Sequence, residues 1–416
     1  MDTRAQSPHP LTGGIGRTRR AVPRLVPAPV PRGYAKLVAW GWDTWQESFD
    51  VKWRNPSLAE KLDRAKAEAD AADDRGKGLV LIDFGGEKLQ VLPCGAKGGV
   101  RWVIFNDDFM LLIRSPKCQW SVSARYLSAG LWEEGLNALQ HRVYEALKAE
   151  LLQPAGDDWV RVTRSDFALD FWSEEFTGEM RPGILEGVVC HSSCKGGGAL
   201  GGDDEPVTFV THGRRLETIY IGSKARCQVT VYDKGREIHE ASGKTWLIEI
   251  WMRNGYVAPV EGRARDVWRV EVRMGGDWLK QRNVRRPGQV IEERESLIAD
   301  ALYHRRLTVP SETDTNERRW PLHPLWALAL HEAGSADMLP LGRYVTGRRE
   351  VFERRQEKQI AGNFRTVMVS KGLRINDVAA ARRLADDAIE TMMNDPDGDR
   401  KAAVAFERQR FLDEAR

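Results

Sequence analysis

The chain has 416 residues, 30% of them charged and 42% hydrophobic, the balance of an ordinary globular protein with room for two or three domains or one large domain with tails. Its 63 basic and 60 acidic residues leave a net charge of +3, so bulk charge does not by itself argue for nucleic acid. No run approaches the roughly 20 apolar residues of a membrane span, no signal-like start precedes the first elements, and five cysteines, an odd count, fit a reducing compartment; a cytoplasmic protein away from membranes is expected.

Residues 1–34 hold six arginines, one aspartate and six prolines, too little apolar surface to fold, and read as a disordered basic arm. Near-alternating aromatic and polar residues over 39–53 predict a half-buried strand. Residues 57–74 predict a charged helix with Ser57 as its N-cap. Short strands are expected at Leu79–Phe84, Leu89–Leu92, Val100–Phe105 and Phe109–Ile113. One long amphipathic helix is expected over 129–152, with Leu131, Leu136, Leu139, Val143, Leu147 and Leu151 along one face. A strand at Val160–Trp172 precedes a glycine-rich excursion over 190–205, and further strands follow at 207–211, 215–221, 227–233, 245–252 and 267–274. Beyond about 289 the pattern turns helical, at 291–306, 323–333, 344–370 and 375–415. The expected architecture is α+β: an antiparallel sheet carrying the site over 35–288, with flanking helices, and a helical C-terminal region over 289–416.

Three of these segments stand out: R-S-D-F-A-L-D at Arg164–Asp170, T-I-Y-I-G-S with V-T-V-Y-D-K-G-R-E between Thr218 and Glu237, and W-R-V-E-V-R at Trp268–Arg273. Strand side chains alternate faces. Arg164, Asp166 and Asp170 then share a face of their strand, as do Thr230 and Tyr232 of theirs and Arg269, Glu271 and Arg273 of theirs, each opposite mostly apolar residues. With the strands in one sheet, Asp166, Asp170, Tyr232 and Glu271 could line one polar surface and share a metal ion. Aspartate is depleted in strands, so two on one face want an explanation. Oxygen ligands without a histidine or cysteine cluster suit a hard cation, Mg²⁺ or Mn²⁺, which could polarise a phosphate. The bland alternative is cross-strand pairing of Arg164 with Asp166 and of Arg269 or Arg273 with Glu271. A phenol needs a base, cation or metal nearby to act as a nucleophile; Tyr232 has Asp233, Lys234 and Glu237 close in sequence, and Gly222 could admit a phosphate near Tyr220. Aromatics also favour strands on their own account.

Weaker signals are soon exhausted. Cys190, His191 and Cys194 lack the second ligand pair that a zinc site needs, and the glycine-rich stretch lacks the G-K-[ST] of a phosphate-binding loop. Arginine pairs at 285–286, 305–306, 318–319, 348–349 and 354–355 suit phosphate contacts and exposed helix faces alike.

Taken together, Arg164, Asp166 and Asp170, then Thr218, Tyr220, Gly222 and Ser223, then Tyr232, Asp233, Lys234 and Glu237, and finally Trp268, Arg269 and Glu271, in this order and spacing, resemble the replication initiation factor family. That family comprises initiators of rolling-circle plasmids and some filamentous phages, together with relaxases of certain conjugative elements. The resemblance spans about residues 38–285. It implies site-specific nicking and rejoining of one DNA strand at an origin through a covalent 5′-phosphotyrosine, assisted by Mg²⁺ or Mn²⁺. Tyr232 maps to the nucleophile and Asp166, Asp170 and Glu271 to the metal ligands. Beside the resemblance, Lys234 and Arg269 are the choices for charge stabilisation on the phosphate, and Arg164, Arg273, Arg285 and Arg286 for DNA contacts. Where the family commonly has an arginine two residues before the tyrosine, this chain has Thr230, and the stretch after Gly222 is short, so Tyr220 stays a second candidate nucleophile. The expected partner is origin DNA, a single strand exposed in supercoiled duplex. No ATP-hydrolysis motif is present, which leaves unwinding and synthesis to a host helicase and polymerase, and a homodimer is open. The alternatives are a relaxase at a transfer origin, a non-catalytic DNA-binding regulator, and metal-dependent hydrolysis by water.

Overall fold

A computed structural model describes residues 30–334, apart from 54, 56, 74–79, 151, 155, 157, 177–183, 185, 191–206, 213–214, 260–263 and 318, and residues 360–394 apart from 362 and 375. These two stretches belong to separate compact units. The expectations for the basic arm before residue 30, for the Cys190–His191–Cys194 cluster beyond Cys190, and for the arginine pairs at 348–349 and 354–355 lie outside the described residues.

Fifteen strands are described: β1 (Lys36–Phe49), β2 (Val51–Trp53), β3 (Leu81–Phe84), β4 (Glu87–Val91), β5 (Trp102–Phe105), β6 (Phe109–Ile113), β7 (Val122–Tyr126), β8 (Leu152–Pro154), β9 (Val160–Trp172), β10 (Val188–Cys190), β11 (Val207–His212), β12 (Arg215–Ser223), β13 (Cys227–Asp233), β14 (Val267–Gly275) and β15 (Arg305–Leu307). Eleven of them form one antiparallel sheet in the order β11-β12-β13-β14-β9-β1-β7-β6-β5-β4-β3. The long strands β1 and β9 pair at the centre, with a meander of β3 to β7 on one side and one of β11 to β14 on the other. The three conspicuous segments fall on β9, on β12–β13 and on β14, so the α+β antiparallel expectation holds.

One face of this sheet is the core. Phe167, Leu169 and Phe171 of β9, Val229 and Val231 of β13, and Val270 and Val272 of β14 are buried there. Helix Leu58–Asp73 adds Leu58, Leu62, Ala65 and Ala69, at the spacing of one helical face, and helix Leu136–Glu150 adds Leu139, Val143 and Leu147. Helices Arg294–His304 and Pro324–Glu332 bring Leu297, Ile298, Leu302, Leu325 and Trp326 into the same core. Each such side chain contributes on the order of 1.5–3 kcal/mol on burial, so the sheet depends on helices from both ends of the unit. A buried carboxylate, Glu47, also lies in this layer. Glu47 accepts hydrogen bonds from Trp45 Nε1 (2.7 Å), Gln140 Nε2 (2.5 Å) and the hydroxyls of Tyr126 (2.8 Å) and Tyr144 (3.0 Å). Burial pushes its carboxyl up, against those four donors.

Two expectations for elements need correction. The helix expected over 129–152 is two, Ser128–Glu133 and Leu136–Glu150, because Gly135 turns the chain at φ 83°. Residues 245–252 are not a strand but the helix Trp246–Arg253; Leu247 and Trp251, four apart, are its buried pair. Ser57 stands at the N-cap position of helix Leu58–Asp73, its carbonyl accepting the Lys61 amide (2.9 Å) while its hydroxyl donates to Asn55 Oδ1 (2.7 Å).

Candidate functional site

The opposite face of the central strands carries the ionisable residues. Register places Arg269 of β14 between Asp170 of β9 and Tyr232 of β13, Glu271 between Ala168 and Thr230, and Arg273 between Asp166 and Gln228. On β12, Thr218 stands opposite Tyr232 and Tyr220 opposite Thr230. The grouping expected from alternation alone is therefore realised across four adjacent strands.

At its deep end lies a buried ion network. Arg269, fully buried, donates to Asp170 through Nε (2.5 Å) and Nη2 (2.8 Å), and to Asp43 Oδ1 through Nη1 (2.8 Å). Asp170 also accepts from Trp251 Nε1 (2.9 Å), and Asp43 from Ser128 Oγ (2.9 Å) and Trp132 Nε1 (3.2 Å). Helices Trp246–Arg253 and Ser128–Glu133 thus close this end over the sheet. Burial alone would raise the Asp43 carboxyl, but Arg269, Lys244 and Lys234 outweigh it and hold the group well below the usual carboxylate range. Burial likewise opposes the Arg269 charge, and Asp170, Tyr232 and Asp43 more than restore it. With its donors committed to two carboxylates, Arg269 positions the site rather than offering itself to a phosphate.

Asp43 owes its place to a β-bulge. The register between β1 and β9 slips between Trp42, opposite Phe167, and Thr44, opposite Asp166. The extra residue switches the parity of β1, so Trp42 packs beside Phe167 on the core face while Asp43 reaches Arg269.

Next along the face, the Tyr232 hydroxyl donates to Glu271 Oε2 (3.1 Å). Burial first, then the charge of Glu271, pushes the phenol well above its ordinary value. Burial, Asp166 and Asp43 lift the Glu271 carboxyl to about 7, against Arg269 and Arg273. Lys234 lies 5.6 Å from the Tyr232 ring and pairs with Glu237 (2.5 Å). Burial, then Arg269, lowers its ammonium, and Glu237 opposes the shift. The rest of Y-D-K-G-R-E is local architecture. Asp233 caps the helical turn Lys234–Glu237 by accepting from the Arg236 amide (3.0 Å), and also accepts from Arg215 (2.7 Å). A Cβ on Gly235 would stand 2.8 Å from the Ala264 carbonyl oxygen, so only glycine fits.

At the open end Asp166 accepts from Arg164 Nε (2.9 and 3.1 Å) and from Arg273 Nε (3.3 Å), while an Arg273 nitrogen lies 3.8 Å from Glu271. These arrangements decide how a metal ion fits. Asp170 is committed to Arg269 and Trp251, Asp166 to two arginines and Glu271 to Tyr232. Among the described residues no group of three or more histidine, cysteine, aspartate or glutamate side chains is placed to hold a metal. As arranged, the expected trio Asp166, Asp170 and Glu271 does not fit a shared cation.

Tyr220 shares the face but not the contact. Two strand spacings, roughly 10 Å, separate it from Glu271 in register. A Cβ on Gly222, at φ 95°, would collide with Arg305 Nε and fall 2.6 Å from the Cys227 carbonyl oxygen, so this glycine admits protein rather than a phosphate. Arg285 and Arg286 lie in the turn before helix Pro287–Glu292, at the start of β9: the Arg285 carbonyl accepts from the Val162 amide (2.8 Å), and Arg286 Nε donates to Asp158 (2.7 Å). They are not brought to the tyrosines. Sequence reasoning missed Asp43, whose signal is the broken alternation of W-G-W-D-T-W, and Arg125 on the unforeseen strand β7, whose signal is the alternation of V-S-A-R-Y.

The fold and face together define an α+β protein whose antiparallel sheet bears a partly buried tyrosine–carboxylate–arginine cluster. No protein-family model matches the chain, and no curated protein matches it. Among solved structures it is similar to a rolling circle replication initiator protein from Geobacillus stearothermophilus, with a TM-score of 0.38 and 16% sequence identity, covering 75% of this chain and 100% of that one. No helix among the described residues is long and apolar enough to cross a membrane.

Proposed function

We propose that this protein initiates rolling-circle replication by nicking and rejoining one DNA strand at an origin, with Tyr232 as nucleophile and Glu271 as its proton acceptor. The observation that carries the reading is the Tyr232 hydroxyl donating to Glu271 on a face that also bears Arg164, Arg269 and Arg273. In the forward step the Tyr232 oxygen bonds to the scissile phosphorus, its proton passes to Glu271, the bond from phosphorus to the 3′ oxygen breaks, and the departing oxygen takes up a proton. A 5′-phosphotyrosine results, and attack by a 3′ hydroxyl reverses the sequence. A carboxyl at about 7 is suited to accept a proton near neutral pH. Lys234, packed near the phenol ring, supplies positive charge as the pentavalent phosphorus forms. No step is routed through Mg²⁺ or Mn²⁺, because the three carboxylates do not fit a shared ion as arranged.

Incubation of the protein with a supercoiled plasmid carrying the cognate origin, in parallel with Mn²⁺ and with EDTA, tests the reading. Relaxation with a covalent DNA–protein adduct is expected, lost in Tyr232→Phe and kept in Tyr220→Phe, with the linked peptide mapped to Tyr232 by mass spectrometry. An adduct lost only in Tyr220→Phe would transfer the role to Tyr220. Nicking that survives both changes would mean that water attacks. Binding without cleavage on every candidate origin would point to a regulator, and cleavage confined to a transfer origin to a relaxase.

A further inference from the structure

Arg125 projects from β7 onto the same face as the site, opposite Gln46 of β1, which itself stands opposite Arg164 of β9. Arg164 and Arg273 share Asp166. Arg125 has no such partner: it makes no hydrogen bond or ion pair among the described residues, and its Nε is buried without one. Burial weakens its hold on the proton, and Arg164 and Arg273 add like charge, with Asp166 opposing. Two guanidinium groups therefore share one carboxylate, and a third, unpaired, lies on the same face two strands away. Such a concentration of like charge destabilises an empty face. It is what a phosphodiester requires, since the guanidinium fork matches phosphate oxygens two at a time.

We propose that Arg125, Arg164 and Arg273 form a phosphodiester-binding subsite that holds a backbone phosphate of single-stranded DNA next to the one at Tyr232. The strand would run across the sheet from β13 towards β7. This rests on the nicking reading for the identity of the strand, but not for the anion site itself. Arg125 comes from the N-terminal meander, far in sequence from the tyrosine segment, so the subsite joins the two halves of the sheet around one ligand.

Two measurements test it, both on the full-length Tyr232→Phe protein so that cleavage plays no part. The first is the melting temperature in inorganic phosphate against chloride at equal ionic strength; the second is binding of a fluorescent single-stranded oligonucleotide as a function of salt. Phosphate is expected to raise the melting temperature, and Arg125→Gln to reduce that rise. The same change should weaken the oligonucleotide on the order of fivefold and lower the log–log salt slope by about 0.7, one phosphate contact. Arg125→Lys, which keeps the charge, should keep the slope and lose part of the phosphate effect; it also stands in if Arg125→Gln fails to fold. Unchanged phosphate stabilisation, affinity and slope in a folded Arg125 variant, with Arg273→Gln weakening both, would remove Arg125 from the site and overturn the proposal. If phosphate stabilises through Arg125 while no origin is ever nicked, the subsite stands and the nicking reading falls. Nicking with no phosphate response gives the reverse.

Discussion

A carboxyl that burial and its acidic neighbours lift to about 7 is about half ionised at neutral pH, and two consequences follow for Glu271. The first concerns rate: an acceptor for the Tyr232 proton must be ionised, so nicking should rise with pH up to about 7 and level off above it, while Glu271→Gln should be slow with a flat profile over the same range. The second concerns stability. Because the folded protein holds this proton more tightly than the unfolded chain, stability is lost as pH climbs from about 4.5 to about 7. Glu271→Gln removes that slope, worth on the order of 3 kcal/mol, so urea midpoints of the two proteins should converge at pH 4.5 and separate in favour of the variant at pH 8. Equal midpoints throughout would show that Glu271 ionises freely. At this scale the sequence was readable where alternation was regular. Asp166, Asp170, Tyr232 and Glu271 share a face because their strands keep a period of two. Asp43 was not readable, because a bulge displaced it. The partners were hidden as well: that Asp170 belongs to Arg269 and Glu271 to Tyr232 depends on which strands are neighbours, and no single strand contains that information.

Among the elements, two glycines separate conformational strain from crowding. Gly135 lies between helices Ser128–Glu133 and Leu136–Glu150 at φ 83° with nothing within 4 Å of an added methyl group, whereas Gly222, at φ 95°, also has Arg305 and Cys227 where its Cβ would go. Alanine at 135 should therefore cost only the left-handed backbone, about 1 kcal/mol. Alanine at 222 should cost clearly more, roughly 2–4 kcal/mol, because Arg305 must also give up its hydrogen bond to the Cys227 carbonyl. Chemical denaturation of both variants checks the order, and equal losses would mean that Arg305 moves aside freely. The same features explain which elements were legible. Helix Leu58–Asp73 shows its period plainly. The single helix expected over 129–152 fails because the apolar spacing runs on past Gly135 while the backbone does not. Trp246–Arg253 was read as a strand because a short apolar run has no clear period until its burial is known; only packing reveals Leu247 and Trp251 as its inward pair.

For the molecule as a whole, the sheet's core does not end with its last long strand. Leu297, Ile298, Leu302, Leu325 and Trp326, all beyond residue 289, lie in the same apolar layer as Phe167 and Val270. β15 pairs with β10, and Arg305 reaches the β12–β13 hairpin next to the tyrosine segment. A composition shift towards helix at about 289 marks a change of secondary structure, which sequence displays, and says nothing of where those helices pack. A fragment ending at 288 exposes the core face of β9, β13 and β14, at a cost of about 1.5–3 kcal/mol for each large side chain left uncovered, which over several such side chains is comparable with the roughly 5–15 kcal/mol by which a typical domain is stable. It should be insoluble or unfolded. A fragment of residues 21–342 keeps every buried contact of the sheet's unit and should melt cooperatively with the Tyr232–Glu271 pair intact. Comparing the two by circular dichroism and by adduct formation on origin DNA decides the matter: a folded, active fragment ending at 288 would show that the later helices lie on the sheet without holding it together.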